Sequence, residues 1–278
     1  MKIRSLKTIE DYFAVEQLQK DIWGAEDIDV LPRDLVITAQ KNGGLMLGAF
    51  DEHGGAELLT GFVFGFVGLT ADRQLKHCSH AAGVSAGCRD RNVGYELKLA
   101  QRQHVMDQGI QLITWTFDPL ETRNARFNFH KLGVTCATYY RNLYGEMRDT
   151  LNANLPSDRF QVDWNIASAR VEACLSKTNP QMSPSSLRKN GVEVINETAG
   201  EELLRPNHKT CSPLGDQVMI EVPIDFQSVK SADPALGLEW RLHTRDLFES
   251  AFQTGYMVTD LLVEDGKCFY LLRSSSQK

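Results

Sequence analysis

The segment Val84–Tyr95 reads VSAGCRDRNVGY and joins a predicted strand to a predicted helix. It contains two arginines, Arg89 and Arg91, and a glycine, Gly94. Backbone N–H groups at the start of a helix, beside a glycine that allows close approach, form a binding site for phosphate anions. Arginines in the same turn add charge-assisted hydrogen bonds. The segment therefore suits a pyrophosphate group, and an ordinary strand–helix loop with exposed arginines is the alternative interpretation.

The turn differs from the other common phosphate-binding loops. It lacks the glycines of the GxGxxG dinucleotide fingerprint, and it has no Gly-Lys-Ser/Thr sequence of the Walker type. A dinucleotide or a nucleoside triphosphate held by one of those two loops is therefore not indicated.

Strands and helices alternate irregularly around this turn, which predicts an α+β fold with a strand–helix–strand crossover near its middle. In the first half, the predicted strands are Lys2–Lys7, Leu45–Phe50, Thr60–Gly68, His77–Val84 and Gln111–Phe117. Helices are predicted at Leu31–Lys41, at residues 94–108 and at Glu121–Leu132, with a further helix capped by Thr8.

Two stretches of the chain resemble the motifs of the GNAT N-acetyltransferases. Arg91–Glu96 stands where that family has Gln/Arg-x-x-Gly-x-Gly/Ala, although Glu96 replaces the last small residue. Thr122–Val134 stands where the family has Asn-x-x-Ala-x-x-Phe-Tyr-x-Lys-x-Gly-Phe. Ala125 and Lys131 match that pattern, whereas the tyrosine is replaced by Phe129. The resemblance covers roughly residues 1 to 148.

This resemblance implies a mixed, splayed central sheet flanked by helices, followed by a second, smaller α+β region. It also implies acetyl-CoA or succinyl-CoA as the co-substrate, with the pantetheine arm paired to the strand that ends near Val84. The residues it assigns to the cofactor are Val84, Arg89, Arg91, Asn92, Val93, Gly94, Tyr95, Asn124, Phe129 and Lys131. No metal is expected.

A less studied branch of the family resembles the chain more closely. The shared features are the pair Ser79-His80, the block Trp115–Leu120 and the stretch Leu155–Phe160. Some members of that branch look like N-succinyltransferases that act on amino acids. The resemblance therefore implies that the acceptor is a small-molecule amine, with amino acids among the candidates.

Acyl transfer to an amine needs a neutral amine, a polarised thioester carbonyl and a proton for the leaving thiolate. His80 is the candidate general base, and a structural histidine bonded across strands is the alternative. Asp118 is a candidate for binding the acceptor ammonium or for acting as a second base, and a turn residue before Pro119 is the alternative. Because Phe129 has no hydroxyl, the candidates for the general acid are Tyr139, Tyr140 and Tyr144, of which Tyr140 is chosen. The alternatives are that each is a packed aromatic residue and that solvent protonates the thiolate.

Composition sets the remaining expectations. The length of 278 residues predicts two domains or one large one. The predicted division is into 1–150 and 151–278, and the second part is interpreted as a degenerate copy of the first or as a helix packed on a sheet. A net charge of −6 argues against nucleic acid as the partner. The six cysteines form no CxxC pair, and neither a signal peptide nor a membrane span is evident. The chain is therefore expected to be cytoplasmic, as a monomer or a homodimer.

Overall fold

The computed structural model describes residues 1–24, 29–53, 55–147, 153–200, 203–210 and 213–275. The chain divides into two compact units, Met1–Trp115 and Thr116–Lys278. Each unit combines helices with a largely antiparallel sheet, so the α+β fold class predicted from the sequence is confirmed.

The described residues of the first unit form a mostly antiparallel sheet and three α-helices. Its sheet has the order β1–β2–β3–β4–β5, with antiparallel pairing up to β4 and parallel pairing between β4 and β5. The strands are β1 Lys2–Ser5, β2 Leu45–His53, β3 Ala56–Leu69, β4 Leu75–Val84 and β5 Leu112–Phe117, which runs two residues past the unit boundary. The helices are α1 Ile9–Trp23, α2 Arg33–Lys41 and α3 Val93–Asp107.

Strand β3 shows how the first unit builds a core on both faces of its sheet. Phe62 and Phe64 pack into the cluster formed with α1 and α2. Val63, which lies between them, packs against Val93 and Leu97 of α3 on the opposite face. Successive side chains of a strand point to opposite faces, so an uninterrupted apolar run buries both of them.

Local sequence signals fix the ends of α1. The Thr8 hydroxyl accepts a hydrogen bond from the Asp11 backbone N–H at 3.2 Å, and the Asp11 carboxylate accepts one from the Thr8 N–H at 3.2 Å. This reciprocal capping satisfies two N–H groups that the helix leaves unpaired. Gly24 ends the helix with a φ of 64°, a left-handed conformation that favours glycine.

The second unit contains the remaining helices and a six-stranded sheet of order β7–β6–β12–β13–β11–β8. Its strands are β6 Thr135–Tyr140, β7 Arg159–Asn165, β8 Glu193–Val194, β9 Asn196–Ala199, β10 Arg205–Thr210, β11 Gln217–Val222, β12 Tyr256–Glu264 and β13 Lys267–Ser274. Strands β9 and β10 form a separate antiparallel ribbon. The helices are α4 Thr122–Arg126, α5 Ala169–Leu175, α6 Pro184–Lys189, α7 Phe226–Ala232 and α8 Pro234–Gln253.

An aromatic cluster forms the centre of the second unit. The Phe160 ring on β7 lies 4.7 Å from the Phe248 ring, 5.7 Å from that of Tyr270 and 6.5 Å from that of Phe129. Each of these four residues is fully buried. Since they come from both ends of residues 116–278, the cluster ties the whole unit together.

Two elements differ from the sequence prediction. The stretch 175–189 is rich in Ser, Pro, Asn and Lys, which predicts a linker or an exposed loop. It contains α6 instead, because Ser183 caps that helix through the Ser186 N–H and Pro184 occupies its first turn. The helix predicted over Glu121–Leu132 is α-helical only to Arg126. It continues as a π-helical turn at Phe127–Lys131.

Within the described residues, no helix has the length and the apolar character needed to cross a membrane. The predicted domain boundary after residue 150 falls among residues outside the described ranges and stays a prediction.

Candidate functional site

His80 lies at a bulge in β4. Gly65 of β3 is opposite Ser79 and Phe64 is opposite Ala81, so His80 is the extra residue on its strand. A bulge of this kind redirects a side chain and interrupts the ladder. The His80 ring centroid lies 6.1 Å from that of Phe64, and desolvation by its surroundings lowers the pKa of His80 below its ordinary value. The side chain nevertheless remains exposed on one side.

Strands β4 and β5 part immediately before this bulge. Their parallel pairing joins His77 to Ile113 and Cys78 to Thr114. From Ser79 to Val84, β4 has no β5 partner in the described part of the chain. At about 3.3 Å per residue, the free edge is roughly 16 Å long. An extended ligand with amide groups can pair with such an edge as an added strand would.

The turn after β4 leads directly into the N-terminus of α3. Asn92 is the residue immediately before the helix. Its φ is 59°, a left-handed conformation that asparagine tolerates better than most residues. Its side chain makes no capping hydrogen bond. The first-turn N–H groups of α3 therefore lack a side-chain cap, which is the arrangement that binds anions at helix N-termini.

Gly94 stands in the first turn of α3 without an evident structural need for glycine. Its φ is not positive, and a Cβ added there would meet only Val84 Cγ2, at an ordinary contact distance of 3.6 Å. The protein itself therefore leaves room beside this backbone. Close approach of an external group is the remaining physical reason for a glycine here.

Of the other residues predicted to bind the cofactor, some are buried or paired within the protein and others are exposed. Val93 is 1% exposed and packs in the core, whereas Val84 and Tyr95 are half-buried. Arg91 donates to the Asp51 carboxylate at 2.6 Å. Arg89 is exposed, and its side chain makes no ion pair within the described residues.

The predicted cofactor residues of the second unit have different environments. Asn124 is exposed and accepts a hydrogen bond from the Asn128 amide at 3.2 Å, and Lys131 is exposed. Phe129 is fully buried, with its ring 6.1 Å from that of Phe117 and 5.9 Å from that of Tyr270. Its surroundings are those of a core residue, and a cofactor contact at Phe129 stays a prediction.

Asp118 is buried and paired. Arg241 donates to both of its carboxylate oxygens, one at 2.8 Å, and the Leu120 N–H also donates to it at 2.8 Å. The carboxylate therefore holds α8 and the following turn in place. A role for Asp118 as a base or as an ammonium ligand stays a prediction, and this pairing does not favour it.

The three tyrosines near the end of β6 differ in environment. Tyr140 is exposed and donates to the Gln161 side chain at 3.4 Å, a long bond. Tyr139 donates to Asp158 at 2.7 Å, and burial raises the pKa of its hydroxyl well above the ordinary range. The Tyr144 hydroxyl lies 2.7 Å from that of Thr116. This geometry does not single out Tyr140 as a proton donor.

A buried polar network on α3 was not predicted from the sequence. Lys98 donates to the Ser79 hydroxyl at 2.9 Å and to the Gln101 carbonyl oxygen at 3.1 Å. Gln101 in turn bonds to His77 at 3.1 Å. A signal was present, because Lys98 and Gln101 fall at helical spacing among the buried positions of α3, which include Leu97.

Comparisons with known proteins give structural likenesses only. No protein-family model and no curated protein matches the chain. The ribosomal-protein-S18-alanine N-acetyltransferase from Escherichia coli matches with a TM-score of 0.45 and 15% identity, over 60% of this chain and 95% of that one. The aminoglycoside 6'-acetyltransferase type Ii matches with a TM-score of 0.45 and 17% identity, over 60% and 99%. Naa20 from Chaetomium thermophilum, in complex with a bisubstrate analogue, gives 0.46 and 13%, over 67% and 99%. At these TM-scores the likenesses carry no weight for function.

Proposed function

We propose that this chain is an acyl-CoA-dependent N-acyltransferase. It transfers an acetyl or a succinyl group directly from the CoA thioester to the amine of a small molecule, such as an amino acid. The observation that carries the proposal is the divergence of β4 from β5 at a bulge, followed by a turn into an uncapped helix N-terminus.

The free edge of β4 and the start of α3 suit the two chemically different parts of CoA. The pantetheine arm is an extended chain with two amide groups, which pair with an open strand edge. The pyrophosphate is an anion, which suits the N–H groups at Gly94 and the guanidinium of Arg89. A linear ligand held at both places ends with its sulfur near Ser79 and His80.

His80 supplies the general base in this proposal. The amine loses a proton as it attacks the thioester carbonyl, and the neutral imidazole of His80 accepts that proton. Because the pKa of His80 is lowered, the ring stays neutral at physiological pH. Turnover is therefore expected to fall only as the pH drops below the ordinary histidine range.

A non-catalytic CoA-binding protein is the alternative. It is favoured by Phe129, a buried residue without a hydroxyl at the place where the GNAT motif has tyrosine, and by Glu96 in the cofactor turn. Substitution of the base separates the two functions. His80→Ala is expected to lower turnover about 10²–10⁴-fold without changing CoA affinity.

Ligand binding is tested first by thermal unfolding with CoA, acetyl-CoA and succinyl-CoA, with NAD as the control. At 100 times its dissociation constant, a ligand stabilises a protein by about 2.7 kcal/mol, roughly 5–10 °C for a chain of this size. A shift with CoA species alone supports the site, and no shift at millimolar ligand refutes it.

Catalysis is tested by incubating each acyl-CoA with a panel of amines and amino acids and detecting the N-acyl product by mass spectrometry. The matched control for His80→Ala is His53→Ala, at the end of β2. If CoA binds and no amine in the panel is acylated, the binding-protein alternative is preferred. Monomeric or dimeric state and cytoplasmic location remain part of the proposal.

A further inference from the structure

Lys98 is a lysine buried without a carboxylate. The residue is 5% exposed, and no ion pair joins it to an acidic side chain in the described part of the chain. Its ammonium group has three contacts: the Ser79 hydroxyl at 2.9 Å, the Gln101 oxygen at 3.1 Å and the face of the Trp115 ring, whose centroid is 3.8 Å away. Burying an ammonium without a counter-charge is costly. Buried ionisable groups of this kind cluster at functional sites.

Burial lowers the pKa values of both His77 and Lys98 in this network. The side-chain oxygen of Gln101 accepts hydrogen bonds from both Lys98 and Ser79. The amide nitrogen of Gln101 therefore faces His77 Nε2 and donates to it. Burial and the nearby Lys98 lower the pKa of His77 to about 4, so His77 stays neutral. Burial also lowers the pKa of Lys98 to about 7. Elsewhere on the strands under α3, Asp51 is held by Arg91.

Ser79 connects this network to the place where the strands part. It is the first residue of β4 beyond the last β4–β5 pair, and it directly precedes the bulged His80. Adjacent strand residues point to opposite faces. The Ser79 hydroxyl faces α3, whereas the His80 ring packs against Phe64 on the face that carries α1 and α2. Two proton-handling groups thus flank the same point of the strand from opposite sides.

We infer that Lys98, acting through the Ser79 hydroxyl, supplies the proton that the leaving CoA thiolate takes up. This inference rests on the proposed function. As the amine nitrogen bonds to the acyl carbon, the C–S bond breaks and its electron pair goes to sulfur. Ser79 gives its hydroxyl proton to that sulfur, and the Lys98 ammonium gives one proton to Ser79 Oγ. The amine proton goes to His80, so the products are the amide and the CoA thiol. Solvent then restores Lys98 and His80.

The assignment resolves a gap in the proposed chemistry. Phe129 has no proton to donate, and the exposed Tyr140 is bound only weakly to Gln161. A proton donor works best when its pKa is close to that of the group it protonates. A free thiol titrates at about 8.5, close to the pKa of about 7 that burial gives Lys98.

The test compares the pH dependence of turnover at saturating amine for the wild type, Lys98→Met, Ser79→Ala and Ser79→Thr. The matched control is Lys76→Met, the same substitution at a lysine of β4. An acid works only while protonated, so wild-type turnover should decline as the pH rises through the pKa of Lys98. Lys98→Met and Ser79→Ala should lose about 10²–10⁴-fold in turnover and should lack this alkaline decline. Ser79→Thr keeps the hydroxyl and should retain most of the turnover.

A binding measurement keeps the inference falsifiable without turnover. CoA itself is titrated in complex with each variant, and the thiolate is followed by ultraviolet difference absorbance. An ammonium near the sulfur lowers the thiol pKa. The bound thiol should therefore titrate at lower pH in the wild type than in Lys98→Met. Equal thiol titration in the two complexes overturns the inference.

Folding of the key variant is checked separately. Methionine has a similar length and no charge, so Lys98→Met should unfold at the same or a higher temperature than the wild type. Turnover of Lys98→Met within twofold of the wild type overturns the inference and leaves the proposed function intact. If the wild type acylates no amine, the proposed function fails and the role of Lys98 fails with it.

Discussion

Glycine at position 94 is explained by neither backbone conformation nor internal packing. Its φ lies outside the left-handed region, and a methyl group added to its Cα would lie 3.6 Å from Val84 Cγ2. Gly109, at the other end of α3, differs because its φ of 74° requires a left-handed turn. The fold therefore requires glycine at position 109, whereas at position 94 the proposed reason is the close approach of CoA.

Gly94→Ala is expected to weaken CoA binding about tenfold or more while leaving the protein as stable as the wild type, or up to about 1 kcal/mol more stable. The methyl group occupies the space that the pyrophosphate needs, whereas alanine favours the helix. Calorimetric titration with CoA and thermal unfolding without ligand measure the two effects.

Gly109→Ala is the control, and it should show the reverse pattern, with lower stability and unchanged CoA affinity. Equal CoA affinity in Gly94→Ala and the wild type would remove the first turn of α3 from the binding site.

The two arginines of the turn are not equivalent, although the sequence presents them as a pair. Arg91 is held by Asp51 at 2.6 Å, whereas Arg89 is exposed without an ion pair in the described residues. Arg89→Ala is therefore expected to reduce CoA affinity about 10- to 150-fold, by the loss of one charge-assisted hydrogen bond of about 1.5–3 kcal/mol. Arg91→Ala should reduce it less.

Measuring both variants with CoA and with dephospho-CoA shows which phosphate is involved. The assignment of Arg89 is contradicted if Arg91→Ala is the more damaging of the two substitutions.

The turn, the strand before it and the helix after it are predictable from the sequence, because each has a local signal. Glycine, apolar alternation and helix-start residues act over a few positions. The helical spacing of Lys98 and Gln101 is a local signal for their burial, but their contacts with Ser79 and His77 have no such signal, because residues of α3 and β4 come together only after folding. The pairing of Asp118 cannot be predicted from local sequence for the same reason, since its partner Arg241 is 123 positions away.

At the scale of elements, the Asp118–Arg241 pair joins the end of β5 to α8. Both side chains are buried, so removing one partner leaves an uncompensated charge. Asp118→Asn is expected to lower the free energy of unfolding by about 3–5 kcal/mol. The proposed base is His80 and not Asp118, so the pH dependence of turnover in the folded variant should be unchanged.

Chemical denaturation and a pH–rate profile test this expectation. The double variant Asp118→Asn/Arg241→Met is the control. It should lose less stability than the sum of the single variants, because neither member of the Asp118–Arg241 pair is left without the other. Loss of the acidic limb of the pH profile in Asp118→Asn would instead assign Asp118 as the base.

Elements of the second half are the hardest to predict. The sequence predicts a helix over Asp233–Thr254 and a hairpin of Val258–Val263 and Cys268–Leu272. These bounds lie close to those of α8, β12 and β13. The short strands β8, β9 and β10 have two to six residues each, too few for a pattern to emerge. The π-helical turn after α4 has no sequence signal that distinguishes it from a continuing helix.

At the scale of the whole molecule, the compact units divide after Trp115, whereas the sequence resemblance suggests a division after residue 150. Strand β6 lies before residue 150 and pairs with both β7 and β12, which lie after it. The buried rings of Phe129 and Phe160 come from the two sides of the same position. A cut at 150 would therefore separate one core into two incomplete parts.

A chain that ends at residue 150 is expected to be insoluble or unfolded, because β6 loses both neighbouring strands and Phe129 loses its aromatic partners. Losing the packing around one buried phenylalanine already costs about 3–5 kcal/mol. That is a large part of the roughly 5–15 kcal/mol free energy of unfolding of a typical domain. A chain of residues 116–278 keeps these contacts and should unfold cooperatively. Circular dichroism and thermal unfolding of the two fragments, each purified under identical conditions, measure the difference. Cooperative unfolding of the 1–150 fragment would restore the boundary suggested by the sequence and make the aromatic cluster dispensable for the first 150 residues.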